Sequence, residues 1–324
     1  MRDKTILVTG GAGYIGAHTC KALAEAGYAP VVLDDLSSGH RSFVKWGEFV
    51  EGSLFDRELL DKTFAKYKPA AVMNFAASTL VGESLEQPLK YYQNNVGGMM
   101  TLLAAMQGAG VQNLVFSSTC AVFGVPNVRA MHEDLPKNPI NPYGQSKLMI
   151  ETILRDMAAQ NQIRFAVLRY FNAAGADKDG EIGEEHEPET HLIPLAIRAG
   201  LRGEELKIMG TDFPTPDGTG VRDYPHVEDL ASAHIAALEY VAAGNPSDFF
   251  NLGTGTGYSV HEVVDTLGKL GVEIKTVAAP RRAGDPAWLV ADPTKAKKIL
   301  GWKPEYDTLE KTLVTAVAWH RKHG

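Results

Sequence analysis

Apolar positions in the first half of the chain follow two alternating rhythms. Short continuous runs at residues 6–8, 31–33, 71–75, 114–116 and 165–168 are bounded by polar or turn-forming residues and read as fully buried strands. Between them lie stretches with apolar residues on one helical face, one opening near Gly13 and a long one over 88–109. Strands alternating with helices imply a parallel sheet covered on both faces, which binds ligands at the carboxyl ends of its strands. From about Asn172 the rhythm loosens: residues 173–191 are polar and rich in Gly and Glu, and 211–220 are dense in Pro, Gly and Asp. A helical pattern returns at 227–241 and a strand pattern at 249–252. The expected fold class is therefore α/β, a Rossmann-like doubly wound parallel sheet with a smaller, interleaved α/β substrate domain. Residues 1–172 would form the dinucleotide-binding part, with returns near 225–254, and 173–324 mainly the second domain.

Composition adds exclusions. The 324 residues are 44% hydrophobic and 22% charged, an ordinary globular balance with room for a large core. A net charge of −7 argues against a nucleic-acid partner, which needs a basic face to release counterions. No apolar run has the length of a membrane span. The run after Met1, Arg2, Asp3 and Lys4 is too short for a signal peptide and ends in a glycine turn. Cys20 and Cys120 both lie in apolar stretches, so a reducing, cytoplasmic setting is the simplest expectation.

Gly10, Gly13 and Gly16, with Tyr14 and Ile15 between the last two, follow the first strand and open the first helix. That spacing allows a tight turn, a backbone that approaches a pyrophosphate, and close helix–strand packing. Helix-start N–H groups then face the phosphates, favoured by the helix dipole. A glycine triplet alone is often only a turn; its strand–helix setting is what gives it weight. Asp34 ends the second strand, where a carboxylate accepts ribose hydroxyls and repels a 2′-phosphate, favouring NAD over NADP. Its neighbour Asp35 reads better as a turn residue.

Tyr143 and Lys147 stand four apart behind the breaker run Asn138-Pro139-Ile140-Asn141-Pro142, which puts both on one helical face. A tyrosine has a pKa near 10, so a base working near pH 7 needs a shift of roughly 3 units, about 4 kcal/mol. A neighbouring ammonium and a cationic nicotinamide can supply it. The pair alone also fits a solvated helix face. What raises it is Ser117-Ser118-Thr119, a run of hydroxyls just past a strand on the edge where the cofactor is expected. The segment His186-Glu187-Pro188-Glu189-Thr190-His191 superficially suggests a zinc helix, but the histidines are five apart around a proline, so no metal is expected. His191 is expected to cap or line the substrate pocket.

Taken together, the glycine pattern, the strand-end hydroxyl and the Tyr143/Lys147 pair resemble the extended short-chain dehydrogenase/reductase family. Longer runs are similar to the UDP-glucose 4-epimerases within it: GGAGYIG at 10–16, VGES at 81–84, YYQNN at 91–95, LRYFN at 168–172 and DFPTPDGTGVRDYPHV at 212–227. The resemblance implies that NAD is carried by the glycine loop, Asp34, Asn95, Ser117 and Tyr170 along with Tyr143 and Lys147. It implies Tyr143 as base, Lys147 as its electrostatic partner and Thr119 as bridging hydroxyl. Asn172, His191, Leu192, Arg222, Arg282 and Asp285 would hold a UDP-sugar, two arginines being apt forks for a pyrophosphate. The implied reaction interconverts UDP-glucose and UDP-galactose through a 4-keto sugar, in a homodimer joined by a helix bundle.

The chain also departs from the family pattern. Ser53 stands where many members have an adenine-contacting Asp, with Asp56 nearby, and Thr79 replaces a lysine. Leu289 occupies a place that is bulky in some members and small in others, so N-acetylhexosamines and pentoses stay open. A related dehydratase would need an acid/base pair after the bridging Thr, whereas Cys120-Ala121 follow here. A protein that only senses NAD would have no use for Thr119, Tyr143 and Lys147 together.

Overall fold

The computed structural model describes residues 4–282 and 284–323; Met1, Arg2 and Asp3 of the leader reading lie outside them. Seven parallel strands form one sheet, and their spatial order explains the site. From one edge to the other run Glu48–Glu51, Ala29–Asp34, Thr5–Thr9, Ala71–Asn74, Asn113–Thr119, Arg164–Tyr170 and Asp248–Leu252. The order reverses between Thr5–Thr9 and Ala71–Asn74, and a crevice opens beyond the carboxyl ends of strands at such a reversal.

The inner strands are buried on both faces, as the continuous apolar runs require. One face of Thr5–Thr9 sends Ile6 and Val8 into a core with Leu23, Val115, Leu230 and Phe250. The opposite face sends Leu7 into a core with Leu60, Met99, Leu103, Phe116 and Ile150. The last strand, Asp248–Leu252, pairs in register with Arg164–Tyr170 although some eighty residues separate them in sequence. Helix Val227–Ala242 packs beside helix Tyr14–Glu25, so part of the second half of the chain covers the first.

A separate hydrophobic cluster holds Ile193, Ile197, Leu206, Val263, Leu267 and Leu313, beneath two small sheets. One of these pairs Glu205–Met209 with Lys275–Ala279; the other joins Val221–Arg222 to Tyr258–Ser259 and Trp288–Leu289.

Two sequence expectations change. The periodicity missed Glu48–Glu51, a half-exposed edge strand whose two charged ends hide the pattern. The helix expected over 88–109 is broken in kind: Pro88–Tyr91, a π-helical turn Tyr92–Gly97, then Gly98–Ala109. Of its apolar residues Met99, Leu102, Leu103 and Met106 pack on the sheet, while Leu89 and Met100 are exposed. Among the described residues no helix is long and apolar enough to cross a membrane. Cys20 and Cys120 are both buried and unpaired.

Candidate active site

Strand Thr5–Thr9 runs straight into the glycine loop. Gly10 has φ +74°, and an added Cβ there would sit 2.4 Å from the Ala76 nitrogen. A Cβ on Gly16 would lie 2.2 Å from the Gly10 carbonyl oxygen, so the helix can approach the loop only without one. Gly13 differs: its Cβ would meet only the Gly10 oxygen, at 3.4 Å, which leaves the outer face of the loop open to a ligand. No side chain caps the helix at Gly13, so its first N–H groups remain available to phosphate oxygens.

Asp34 anchors this loop as well as facing it. Its carboxylate accepts from Ala12 N at 3.0 Å and Leu36 N at 2.9 Å, while burial pushes its pKa up. Asp35 is exposed and closes a turn onto Ser37 N. Tyr14 points away from the loop, its hydroxyl donating to Gly175 O at 2.6 Å. Ile15 is half-buried against the sheet core.

Strand Asn113–Thr119 delivers the hydroxyl run two strands away, and helix Pro142–Ala159 delivers the pair opposite it. Asn141 caps that helix by accepting from Gly144 N at 2.8 Å, and Pro142 fixes its first turn. Lys147 is buried and donates to Ser117 O at 2.8 Å. Burial brings its ammonium down to about 7, opposed by the field of Glu151 one turn further on. Burial likewise raises the Tyr143 phenol to about 12, and a hydrogen bond with Thr119 pulls against that rise. The Thr119 hydroxyl also accepts from Ala121 N at 3.1 Å. Cys120, next in line, is buried with its thiol pushed up to about 12, so it offers no acid or base near neutral pH.

Tyr170 ends the neighbouring strand in register with Thr119, and its hydroxyl meets that of Ser117. Thr119, Tyr143, Lys147, Ser117 and Tyr170 thus converge on one carboxyl edge. Asn95 behaves differently. Its amide donates to Ser78 O and Ser146 Oγ and accepts from Ser78 N and Asn94, which uses all its valences on protein. The π-helical turn that carries Asn95 therefore fixes the 76–80 loop, and Asn95 presents no spare group to a ligand.

The candidate substrate residues are more scattered. Asn172 donates to Asp223 O at 3.2 Å. Arg222 and Asp285, read separately in the sequence, pair with each other at 2.5 Å. Arg282 is exposed on the same segment as Asp285. His191 precedes helix Leu192–Arg202 without capping it; its imidazole meets the buried Glu184 carboxylate instead. Leu192 packs on the second cluster, and Leu289 against the cluster containing Cys120 and Phe171. Asp56 is committed to capping helix Arg57–Tyr67, and Ser53 Oγ accepts from Phe55 N.

Three supports escaped sequence reasoning. Glu151 and Arg169 form a buried two-pronged ion pair, at 2.9 and 2.6 Å, which also accepts from Ser118 at 2.7 Å. Asp223 is fully buried and gathers Thr254, Gly255 and Ala291 N–H groups behind Arg222. Tyr91 lies edge-on to Tyr143, with ring centroids 6.5 Å apart. Charged residues inside apolar runs, Glu151 and Arg169 above all, were the available signal.

Comparison with known proteins agrees with this geometry. The family described as the NAD dependent epimerase/dehydratase family matches residues 6–253. A UDP-glucose 4-epimerase of Rhizobium meliloti (strain 1021) is 51% identical over 326 residues, covering 100% of this chain and 99% of its own. The crystal structure of the UDP-glucose 4-epimerase from Brucella ovis in complex with NAD is 50% identical, with a TM-score of 0.94 and 97% of both chains covered. That of Bifidobacterium longum, in complex with NAD+ and UDP, is 37% identical with a TM-score of 0.92 over 98% of both chains. By sequence and by fold, the chain belongs to the NAD dependent epimerase/dehydratase family and, within it, stands with the UDP-glucose 4-epimerases.

Proposed function

We propose that this chain interconverts UDP-glucose and UDP-galactose by oxidising and re-reducing the sugar at C4, with NAD as its resident cofactor. One observation carries the reading: a half-buried Tyr143, bonded to Thr119 and one helical turn from Lys147, at the sheet edge that also holds an open glycine loop. The loop fits a dinucleotide, because Gly10 and Gly16 are sterically required while Gly13 faces outward. NAD, when bound, accepts a hydride and returns it, ending unchanged.

The residues divide the remaining work. Tyr143 takes the proton of the sugar 4-OH and later gives it back, with Thr119 holding the hydroxyl in line. A positive charge beside the ring has to bring the phenol down from its buried value, and Lys147 is placed on the right face to contribute. Asp34 receives a ribose, and Ser117 and Tyr170 line the nicotinamide side. Asn172, Leu192, Arg222, Arg282 and Asp285 hold the UDP group, so that the oxidised sugar can turn over without leaving, while the His191 imidazole is engaged with Glu184 instead. In this scheme residues 1–172 and the returning strand carry the cofactor, and most of 173–324 carries the nucleotide-sugar.

Two wider properties complete the proposal. Leu85, Leu89, Met100 and Met149 are exposed on the helices around 81–109 and 142–159, a face suited to a second copy and a helix-bundle homodimer. Two buried, unpaired cysteines suit the cytoplasm. The decisive experiment incubates purified protein with UDP-galactose, without added NAD, and measures UDP-glucose. A parallel run with UDP-N-acetylgalactosamine defines the sugar range. Failure to convert any UDP-sugar in a panel would refute the epimerase reading.

A further inference from the structure

We propose that Glu184, His186, Glu189 and His191 form a binding site for one divalent cation of the zinc class, clamping the loop that leads into helix Leu192–Arg202. The sequence argued against a metal because the two histidines cannot share a helical face around Pro188. The segment is not a helix. As a loop it gathers all four side chains, and one ligand atom from each lies within 4.8 Å of the others.

The separations are those of ligands around a shared ion. His186 Nδ1 lies 3.6 Å from Glu184 Oε1 and 3.4 Å from Glu189 Oε2. Zinc–ligand distances near 2.1 Å around a tetrahedron place neighbouring ligand atoms about 3.4 Å apart. The same atom, His186 Nδ1, is buried and makes no hydrogen bond. A third edge is shorter: His191 Nδ1 bonds Glu184 Oε1 directly, and that contact opens when an ion enters.

Charge points the same way. The Glu184 and Glu189 side chains are 3% and 5% exposed, yet among the described residues no Lys or Arg comes within 4.0 Å of either. Two carboxylates out of water need a compensating cation, which without an ion only protonation of His186 or His191 supplies. Glu189 is prepared for ligation: Oε1 is occupied by Thr190 N at 2.7 Å and His191 N at 2.8 Å, which aims Oε2 at His186. An ion can enter from the His191 side, which is 55% exposed. The loop is also tied to the cofactor half, since His40 meets Glu185 O at 3.0 Å and the Tyr14 ring packs edge-on to His186. The other acidic group, Asp177, Asp179 and Glu181, is already filled by Lys21.

The test uses the full-length protein with its cofactor in place, stripped by EDTA and dialysed against ZnCl2 or MgCl2. Metal per chain is then counted by atomic emission. The expected result is one zinc per chain, no retained magnesium, and a melting midpoint several degrees above the stripped protein. Substituting Co2+ should give the visible absorption of a tetrahedral site. Glu189→Gln should weaken zinc at least tenfold, and a Glu184→Gln/His186→Ala double variant should lose it, with folding checked by circular dichroism. His261→Ala, at a half-buried histidine elsewhere, should keep one zinc. No zinc in the unaltered protein, or equal zinc in the double variant, would overturn the proposal, whatever the outcome of the epimerase assay.

Discussion

Tyr143 and Glu151 sit two turns apart on one helix and show how differently a single side chain can matter. Tyr143 is half-buried and desolvation pushes its phenol up to about 12, so it contributes chemistry only if a nearby positive charge holds the phenolate. Tyr143→Phe keeps the ring and its edge contact with Tyr91 and removes only the proton acceptor. Turnover is expected to fall by about 10²–10⁴-fold, the usual worth of an acid–base group, with NAD content unchanged. Steady-state rates beside the absorbance of bound cofactor read both at once; equal rates for the two proteins would remove Tyr143 from the mechanism. Glu151→Leu acts through stability instead. It strands the Arg169 guanidinium, whose side chain is 1% exposed, and breaking such a pair costs about 3–5 kcal/mol. Urea unfolding should show that loss, and a cost below about 1 kcal/mol would mean that Arg169 finds another partner.

At the scale of elements, the glycine loop joins strand Thr5–Thr9 to helix Tyr14–Glu25 through contacts that tolerate no side chain at two of three positions. Gly16→Ala forces its methyl to 2.2 Å from the Gly10 oxygen, so the helix has to retreat and its N–H groups leave the phosphate site. Gly13→Ala meets only a 3.4 Å contact and leaves the protein folded. The expected pattern is a large loss of thermal stability for Gly16→Ala alone, with NAD retention impaired in both because the new Gly13 methyl faces the ligand. Full retention by Gly13→Ala would show that the phosphates lie elsewhere. The sequence made this unit readable because strand, loop and helix are adjacent and each glycine has a local cause. Tyr143 and Lys147 were readable for the same reason. The Arg222–Asp285 pair was not, since it closes across 63 residues and depends on how the small sheet folds. Glu48–Glu51 was lost because a short edge strand with only two half-buried apolar residues between charged ends carries no apolar run. The grouping of Glu184, His186, Glu189 and His191 was not readable for want of the backbone path: spacing rules assume a helix, and here a loop does the gathering.

For the whole molecule, buried histidines set a limit on the acid side. His18, His226 and His234 are each at most 3% exposed, and burial brings them from 6.5 to about 4, about 3 and about 4 respectively. His18 and His234 each have one ring nitrogen on a backbone carbonyl and leave Nε2 buried without a partner. His226 stacks on Tyr306 at 3.5 Å, accepts from Glu228 N and bonds Thr315, so it is held neutral between the sheet and the C-terminal helix Leu309–His323. In the unfolded chain these rings take up protons near 6.5; in the folded protein they resist until about 4 or below. The unfolded state therefore binds more protons throughout that window, and stability present above 6.5 drains away as the pH falls. By pH 5 the loss is about 2 kcal/mol for each ring, enough to make mild acid denaturing for a protein of ordinary stability. His234 offers the cleanest check, because its ring is packed in the core between Phe75 and Tyr170 and the readout is stability rather than activity. His234→Asn should lower stability somewhat at pH 7.5 through lost packing, yet its urea midpoint should change less between pH 7.5 and 5 than that of the unaltered protein. If both proteins lose stability along parallel lines, the ring at 234 is not among the groups that make the fold acid-sensitive.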